Sequence, residues 1–231
     1  GFRYSNKKNS EIKGEFVKLD VNSFYSSILI NKKYTLPIGK PEFKTLTQQE
    51  FENLKFYQYG LYYCKVSGDI NPKLFYKNTN NIYTHLELKI AKEQNYKMEL
   101  LVDKNFNFMY YPNRINNHRL FEKYINYLYP HKKDCFLIKR LLNILWGALS
   151  AKNWISDGGS NLDDNLEFKV RYDKDLCIKS VSKITEEKIF KHNSAKIAPF
   201  ITSYGRYELY KLIKNYHSKI HYIHTDGFVI D

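Results

Sequence analysis

Two stretches decide how this chain is read: "DVNSFYSSIL" at residues 20–29 and "YIHTDGFVID" at residues 222–231. Each sets one aspartate, Asp20 or Asp226, among apolar residues of strand character. In the second stretch Tyr222, His224 and Asp226 recur with a period of two, so they project from one face, and Asp226-Gly227 is a strong turn signal. Asp20 ends a strand expected over Glu15 to Asp20, and a short helix is expected from Asn22 to about Ile30, capped by Asn22. A carboxylate at a strand end and another at a hairpin tip can meet on a shared sheet. They then form the incomplete, oxygen-rich site that Mg²⁺ takes when a substrate phosphate completes its shell. Two such ions about 4 Å apart activate an attacking hydroxyl and stabilise a leaving oxygen. The plainer alternative is that both aspartates serve turns or caps, the commoner fate of a lone Asp.

Composition narrows the classes. Of the 231 residues, 43% are apolar and 16% aromatic, which excludes a disordered chain. No run approaches eighteen uncharged apolar residues, so no membrane span is expected. The 37 Lys and Arg against 24 Asp and Glu leave a formal charge of +13, which attracts a polyanion such as a phosphate backbone. An AT-rich coding sequence, favouring Lys, Asn and Ile, is the bland explanation of the same charge. The 21 tyrosines offer faces for stacking on bases, though tyrosine is also ordinary filler for strands and core edges. Cys64, Cys135 and Cys177 are too widely spaced for a metal motif, and free thiols in an intracellular, reducing compartment are expected. The chain begins at Gly1 without Met and stops just after a strand-like stretch, which reads as a piece of something longer.

Between the two aspartates the pattern is mixed. Strands are expected at "GLYYCKV" (60–66) and "KMELLV" (97–102), and "THLE" (84–87) has the spacing of a capping box. Helices are expected over Asn117 to Tyr129 and Asp134 to about Ser150, joined by "PHKK". "LEFKVRY" and "LCIKSVSK" read as a β-hairpin between Leu166 and Lys183, and a further helix runs from about Ser194 to Tyr216. On "IKRLLNILWGALS" (138–150), Lys139, Asn143 and Gly147 form one stripe beside Trp146, while Leu141, Leu142, Leu145 and Leu149 form an apolar face. Such a helix can pack by its leucines and offer Lys to a triphosphate. It can equally be a plain amphipathic core helix.

Four segments together resemble a known family. "DVNSFYSSIL" is similar to motif A of family B DNA polymerases (Asp-x-x-Ser-Leu-Tyr-Pro), "KRLLNILWG" to motif B (Lys-x-x-x-Asn-Ser-x-Tyr-Gly) and "YIHTDGF" to motif C (Tyr-x-Asp-Thr-Asp-Ser). "APFITSYGR" (198–206) resembles the segment before motif C in the protein-primed branch, and their order and spacing agree. The resemblance implies an α+β polymerase palm, an antiparallel sheet with helices, carrying a helical-hairpin fingers subdomain and insertions. It divides the chain into palm (1–31), a terminal-protein-region-like insertion (32–115), fingers hairpin (116–155), a β-hairpin insertion (156–192) and palm again (193–231).

It also implies roles. Asp20 and Asp226 would be the catalytic carboxylates that hold two Mg²⁺ ions, Mn²⁺ being the alternative, with the main-chain carbonyl of Val21 as a further ligand. Tyr25 would stack under the sugar, Lys139 would hold the triphosphate, Asn143 would support the nucleotide pocket, and Trp146 and Gly147 would pack near the nascent base pair. Ser23, Thr202, Arg206 and Tyr222 would meet DNA. The expected activity is template-directed addition of dNTPs to a primer 3′ hydroxyl or a terminal-protein hydroxyl. The expected partners are primer–template DNA, dNTPs and a terminal protein, with no membrane. Departures from the family pattern are Ser26 for proline, Trp146 for tyrosine, Gly227 for serine and His224 for the first Asp of motif C. The last keeps open a degenerate, non-catalytic nucleic-acid-binding module, because a protonated imidazole there would lower metal affinity.

Overall fold

Residues from opposite ends of the chain meet in one antiparallel sheet. The computed structural model describes residues 3–5, 14–102, 105–157, 168–172, 178–184 and 189–231. Numbered in chain order, β1 (Arg3–Ser5), β2 (Val17–Asp20), β13 (Ile220–His224) and β14 (Gly227–Ile230) lie in the order β1-β13-β14-β2. Gly227 stands opposite Asp20, Phe228 opposite Leu19 and Ile230 opposite Val17. Alternation therefore puts Asp20, Gly227 and His224 on one face and Val17, Leu19 and Phe228 on the other.

The helix after β2, α1 (Phe24–Leu29), starts later than the sequence suggests. Ser23, not Asn22, takes the capping position; it stands in the left-handed region at φ 52° and ψ 42°, and its side chain makes no capping bond. α1 buries Phe24, Ile28 and Leu29 and packs against α4 (Asn117–Leu128). Asn117 Nδ2 donates to the Ile28 carbonyl at 3.0 Å, which also accepts the Asn31 N–H at 3.2 Å, tying α4 to the end of α1.

β3 (Thr35–Pro37) pairs with β9 (Arg114–Asn116), so the intervening segment leaves and returns side by side. Between them come β4 (Glu42–Lys44), α2 (Gln48–Glu52), β5 (Gly60–Ser67), β6 (Ile82–Thr84), α3 (His85–Glu93), β7 (Lys97–Leu100) and β8 (Phe108–Tyr110). Their sheet has the order β4-β8-β5-β6, with β7 on β5. The expected strands at "GLYYCKV" and "KMELLV" form, and Thr84 and Glu87 make both bonds of the capping box. β4, β6 and β8 escape sequence reading because three residues cannot show an alternation. α2 escapes it too, although Thr47 and Glu50 form a second capping box.

The core explains many of the tyrosines. Tyr62, Tyr83 and Tyr204 are fully buried, Tyr62 stacks on Phe108 at 4.2 Å, and Tyr59 stacks on Phe200 at 4.5 Å. Tyr204 donates its hydroxyl to the Thr35 carbonyl. Of the cysteines, Cys64 is buried and Cys135 partly exposed, both as free thiols, and Cys177 lies outside the described residues.

α6 (Ala198–Ile213) follows a 3₁₀ turn at Asn193–Ile197 and is braced against α3. Thr84 and Ser203 share a hydrogen bond between buried hydroxyls. Arg206 meets Glu87, and Tyr210 takes a bond from Gln94 while donating to Glu93 at 2.9 Å. α5 (Phe136–Leu149) differs: only Leu142 is buried, while Phe136 is 78% and Leu137 61% exposed. Leu141, Leu145 and Leu149, the rest of the expected apolar face, are half-buried. Leu142 lines, with Lys139 and Asn143, a cleft described below.

The chain divides into two compact units, residues 1–143 with 199–231, and residues 144–198. Within the second, β10 (Ile155–Asp157), β12 (Ile178–Lys183) and β11 (Phe168–Tyr172) form an antiparallel sheet in that order. β11 and β12 are the hairpin expected near Leu166 to Lys183, its turn lying outside the described residues. Among the described residues no helix is long and apolar enough to cross a membrane.

Candidate active site

Asp226 rides on a two-residue connection, Thr225-Asp226, between β13 and β14. Thr225 takes φ 54°, a left-handed conformation that costs a β-branched residue roughly 1–3 kcal/mol. The Asp226 N–H donates to the His224 carbonyl at 2.6 Å, and the Val21 N–H donates to the Asp226 carbonyl at 2.9 Å. The second bond ties the end of β2 to the hairpin tip, so one piece of backbone bonding positions both aspartates.

The sequence reads Asp226-Gly227 as a turn, but Gly227 already belongs to β14. A Cβ there would stand 2.8 Å from Asp20 Oδ1 and 2.9 Å from the Leu19 carbonyl oxygen. Glycine at 227 answers a close approach rather than a turn geometry.

The two carboxylates feel one another. Burial first, and the Asp20 charge second, hold the Asp226 carboxyl above its ordinary range, against opposing effects from its own backbone bond, His224 and Lys18. A divalent cation would remove that repulsion, and the donors are hard oxygens suited to Mg²⁺. Among the described residues no group of three His, Cys, Asp or Glu side chains can hold a metal. An ion held by Asp20 and Asp226 therefore needs main-chain oxygen, water or substrate to complete its shell.

Asp20, Val21, Ser23, Tyr25, Lys139, Asn143 and Asp226 line one cleft of about 420 Å³. Three separated stretches of sequence thus converge. Burial raises the pKa of the Tyr25 hydroxyl, Arg206 works against that, and Asp226 adds to it. Tyr222 lines an adjoining hollow of about 190 Å³ that shares Asp20 and Asp226, its ring parallel to that of His224 at 6.3 Å.

Other expected residues stand elsewhere. Thr202 and Arg206, on α6, line neither space; the Thr202 hydroxyl donates to the Pro199 carbonyl at 3.1 Å. Arg206 places Nη2 2.6 Å and Nε 2.9 Å from Glu87 Oε1, a nearly buried carboxylate. That guanidinium braces the scaffold, and any strand it meets must share it with Glu87. Trp146 and Gly147 belong to the second unit, and a Cβ at Gly147 would meet nothing within 4 Å, so internal packing does not require glycine there.

Sequence reading missed three contributors. Lys132 and Lys133 line the cleft, although the sequence reads "PHKK" only as a connection. Their signal was the pair of cations shortly before Lys139. Gly205 is the third: a Cβ there would lie 3.1 Å from Phe24 Cε1 and 3.5 Å from Tyr25 Cε1, so its absence lets α1 seat closely on α6.

No protein-family model matches this chain, and no curated protein matches it significantly. Solved structures of Phi29 DNA polymerase do. Its post-translocation binary complex with primer-template DNA matches with a TM-score of 0.58 at 20% identity, over 100% of this chain and 40% of that one. The complex with single-stranded DNA gives 0.61 at 19%, over 100% and 40%. The ternary complex with primer-template DNA and incoming nucleotide substrates gives 0.59 at 19%, over 100% and 41%. At this identity the likeness is one of fold: the chain has the mixed helix and antiparallel-sheet architecture of a polymerase fragment, and spans about two fifths of the length of those polymerases.

Proposed function

We propose that this chain is the palm and fingers part of a template-directed DNA polymerase of the protein-primed family B kind. The observation that carries the reading is the convergence of Asp20, Asp226, Tyr25, Lys139 and Asn143 on one cleft from three distant stretches. Asp20 and Asp226 would hold the divalent cations, with the Val21 carbonyl as a further oxygen ligand. Two Mg²⁺ ions held by those oxygens would activate the primer hydroxyl and neutralise the leaving pyrophosphate. Lys139 binds the triphosphate as a point charge. Tyr25, already part-buried against α6, floors the sugar and excludes a 2′-hydroxyl by contact. Asn143, one turn on from Lys139, supports the same pocket. Primer-template DNA and dNTPs are the partners, and a terminal protein is a second source of the attacking hydroxyl.

The test is Mg²⁺-dependent primer extension by the full-length protein, with Asp20→Asn and Asp226→Asn as controls. Extension that falls to background in both variants supports the reading. Retained primer–template binding with no extension by the parent favours the rival, a degenerate module that binds nucleic acid without catalysis, as His224 in motif C suggests. A second readout needs no activity. Because burial and Asp20 raise the Asp226 pKa, this carboxylate weakens the metal-free fold as pH rises through its titration. Asp226→Asn should therefore raise the Tm of the metal-free chain near neutral pH and abolish any rise in Tm on adding Mg²⁺.

A further inference from the structure

The corner between β2 and α1 is held from outside. Ser23 occupies the left-handed region at φ 52° and ψ 42°, which is unfavourable for a residue with a Cβ. Such a conformation persists only where surrounding contacts over-determine it. Here Lys132 Nζ donates to Ser23 Oγ at 2.5 Å and to Asn22 Oδ1 at 2.8 Å, and Ser23 Oγ donates to the same Asn22 oxygen at 3.3 Å. The Tyr129 ring centre lies 4.5 Å from the Lys132 ammonium. Both outside groups come from the turn after α4, about a hundred residues away in sequence.

Asp20 and Tyr25 stand on either side of this corner, and both line the cleft. A change in the backbone at Ser23 moves one relative to the other. An ammonium has three donors. Asn22 and Ser23 take two of those of Lys132, and the Tyr129 ring lies against the charge, which leaves little of it for a phosphate. Lys139, on α5, is exposed and lines the same cleft. The two lysines thus divide the work.

We propose that Lys132 is a positioning residue of the nucleotide site, which by bridging Asn22 and Ser23 holds the left-handed corner and so sets Tyr25 against Asp20, without itself being a phosphate ligand. The inference rests on the nucleotide-binding reading above and goes beyond it in assigning the corner its keeper.

The experiment is a double-mutant cycle on the chain, with dATP and Mg²⁺ as the probe and binding read by calorimetry. Lys132→Met is expected to weaken binding about tenfold, and by less than threefold when Ser23→Gly is already present, because glycine adopts the left-handed conformation unaided. An equal loss in both backgrounds would mean a direct phosphate contact and overturn the proposal, as would no loss in the Ser23 background. Amide exchange at Ser23 to Tyr25 without nucleotide separates the two levels. Faster exchange in Lys132→Met, in a parent that binds no dATP, would overturn the polymerase reading and with it the positioning role, leaving only the bridge. Unchanged exchange would overturn the bridge itself.

Discussion

α6 and α5 carry similar inventories, branched apolar residues with a glycine, a few cations and a few polar groups, yet the fold treats them oppositely. α6 buries eight of its residues and is cross-braced to α3 by hydroxyl, ion-pair and tyrosine contacts. α5 buries Leu142 alone. The contrast extends to their glycines: a side chain at Gly205 would press on Phe24 and Tyr25, whereas one at Gly147 would meet open space. The difference teaches that the braced helix sets where the cleft's floor stands, while the exposed helix presents Lys139 and Asn143 to it. Stability and chemistry are assigned to different helices.

The largest expected effect tests the bracing. Arg206→Met leaves the Glu87 carboxylate, 6% exposed, buried without its partner, and should cost about 3–5 kcal/mol in urea unfolding. A loss below about 1 kcal/mol would place the pair with ordinary surface pairs and erase the contrast.

A pH series sharpens it next. His85, at the start of α3 between Tyr59 and Phe200, has its pKa held down to about 4 by burial first and the Arg114 charge second, with the Gly60 backbone bond opposing. The imidazole is neutral in the fold but takes a proton in the unfolded chain below about pH 6.5. Its folded value lies below its unfolded one, so its contribution is complete above about pH 6.5 and is lost as pH falls toward 4, by up to about 3 kcal/mol. His85→Phe should flatten that limb of the Tm profile; an unchanged limb would show that other groups set it.

One substitution made twice gives the smaller and sharper comparison. Gly205→Ala should destabilise by about 1–2 kcal/mol and weaken dATP binding through Tyr25. Gly147→Ala, in open space on a helix, should stabilise by about 0.5–1 kcal/mol. Equal signs in thermal melts would sink the distinction between the two helices.

Much of the site was legible before folding because its residues fall in short motifs with fixed local geometry. The strand ending at Asp20, the hairpin around Asp226 and the helical stripe of Lys139 and Asn143 each follow from period and turn chemistry. Gly205, Lys132 and the Arg206–Glu87 pair were not legible, since each acquires its role from a residue distant in sequence. Arg206 reads as an exposed cation until α3 brings Glu87 to it. The α5 leucines read as a packing face, and the structure buries Leu142 while leaving Leu141, Leu145 and Leu149 half-buried. Tyrosine abundance could be read two ways, and burial of Tyr62, Tyr83 and Tyr204 assigns those three to the core.

By itself the sequence determined the class of chain, the two aspartates and the local elements that carry them, because backbone propensity and side-chain period act over a few residues. Only the tertiary structure decided that Asp20 faces Gly227 across paired strands, that a left-handed corner at Ser23 is bridged by Lys132, and that one glycine-bearing helix is braced while another stays open. Those outcomes depend on which surfaces exclude one another's water and which charges then lack a solvent partner, and neither is set until distant segments meet.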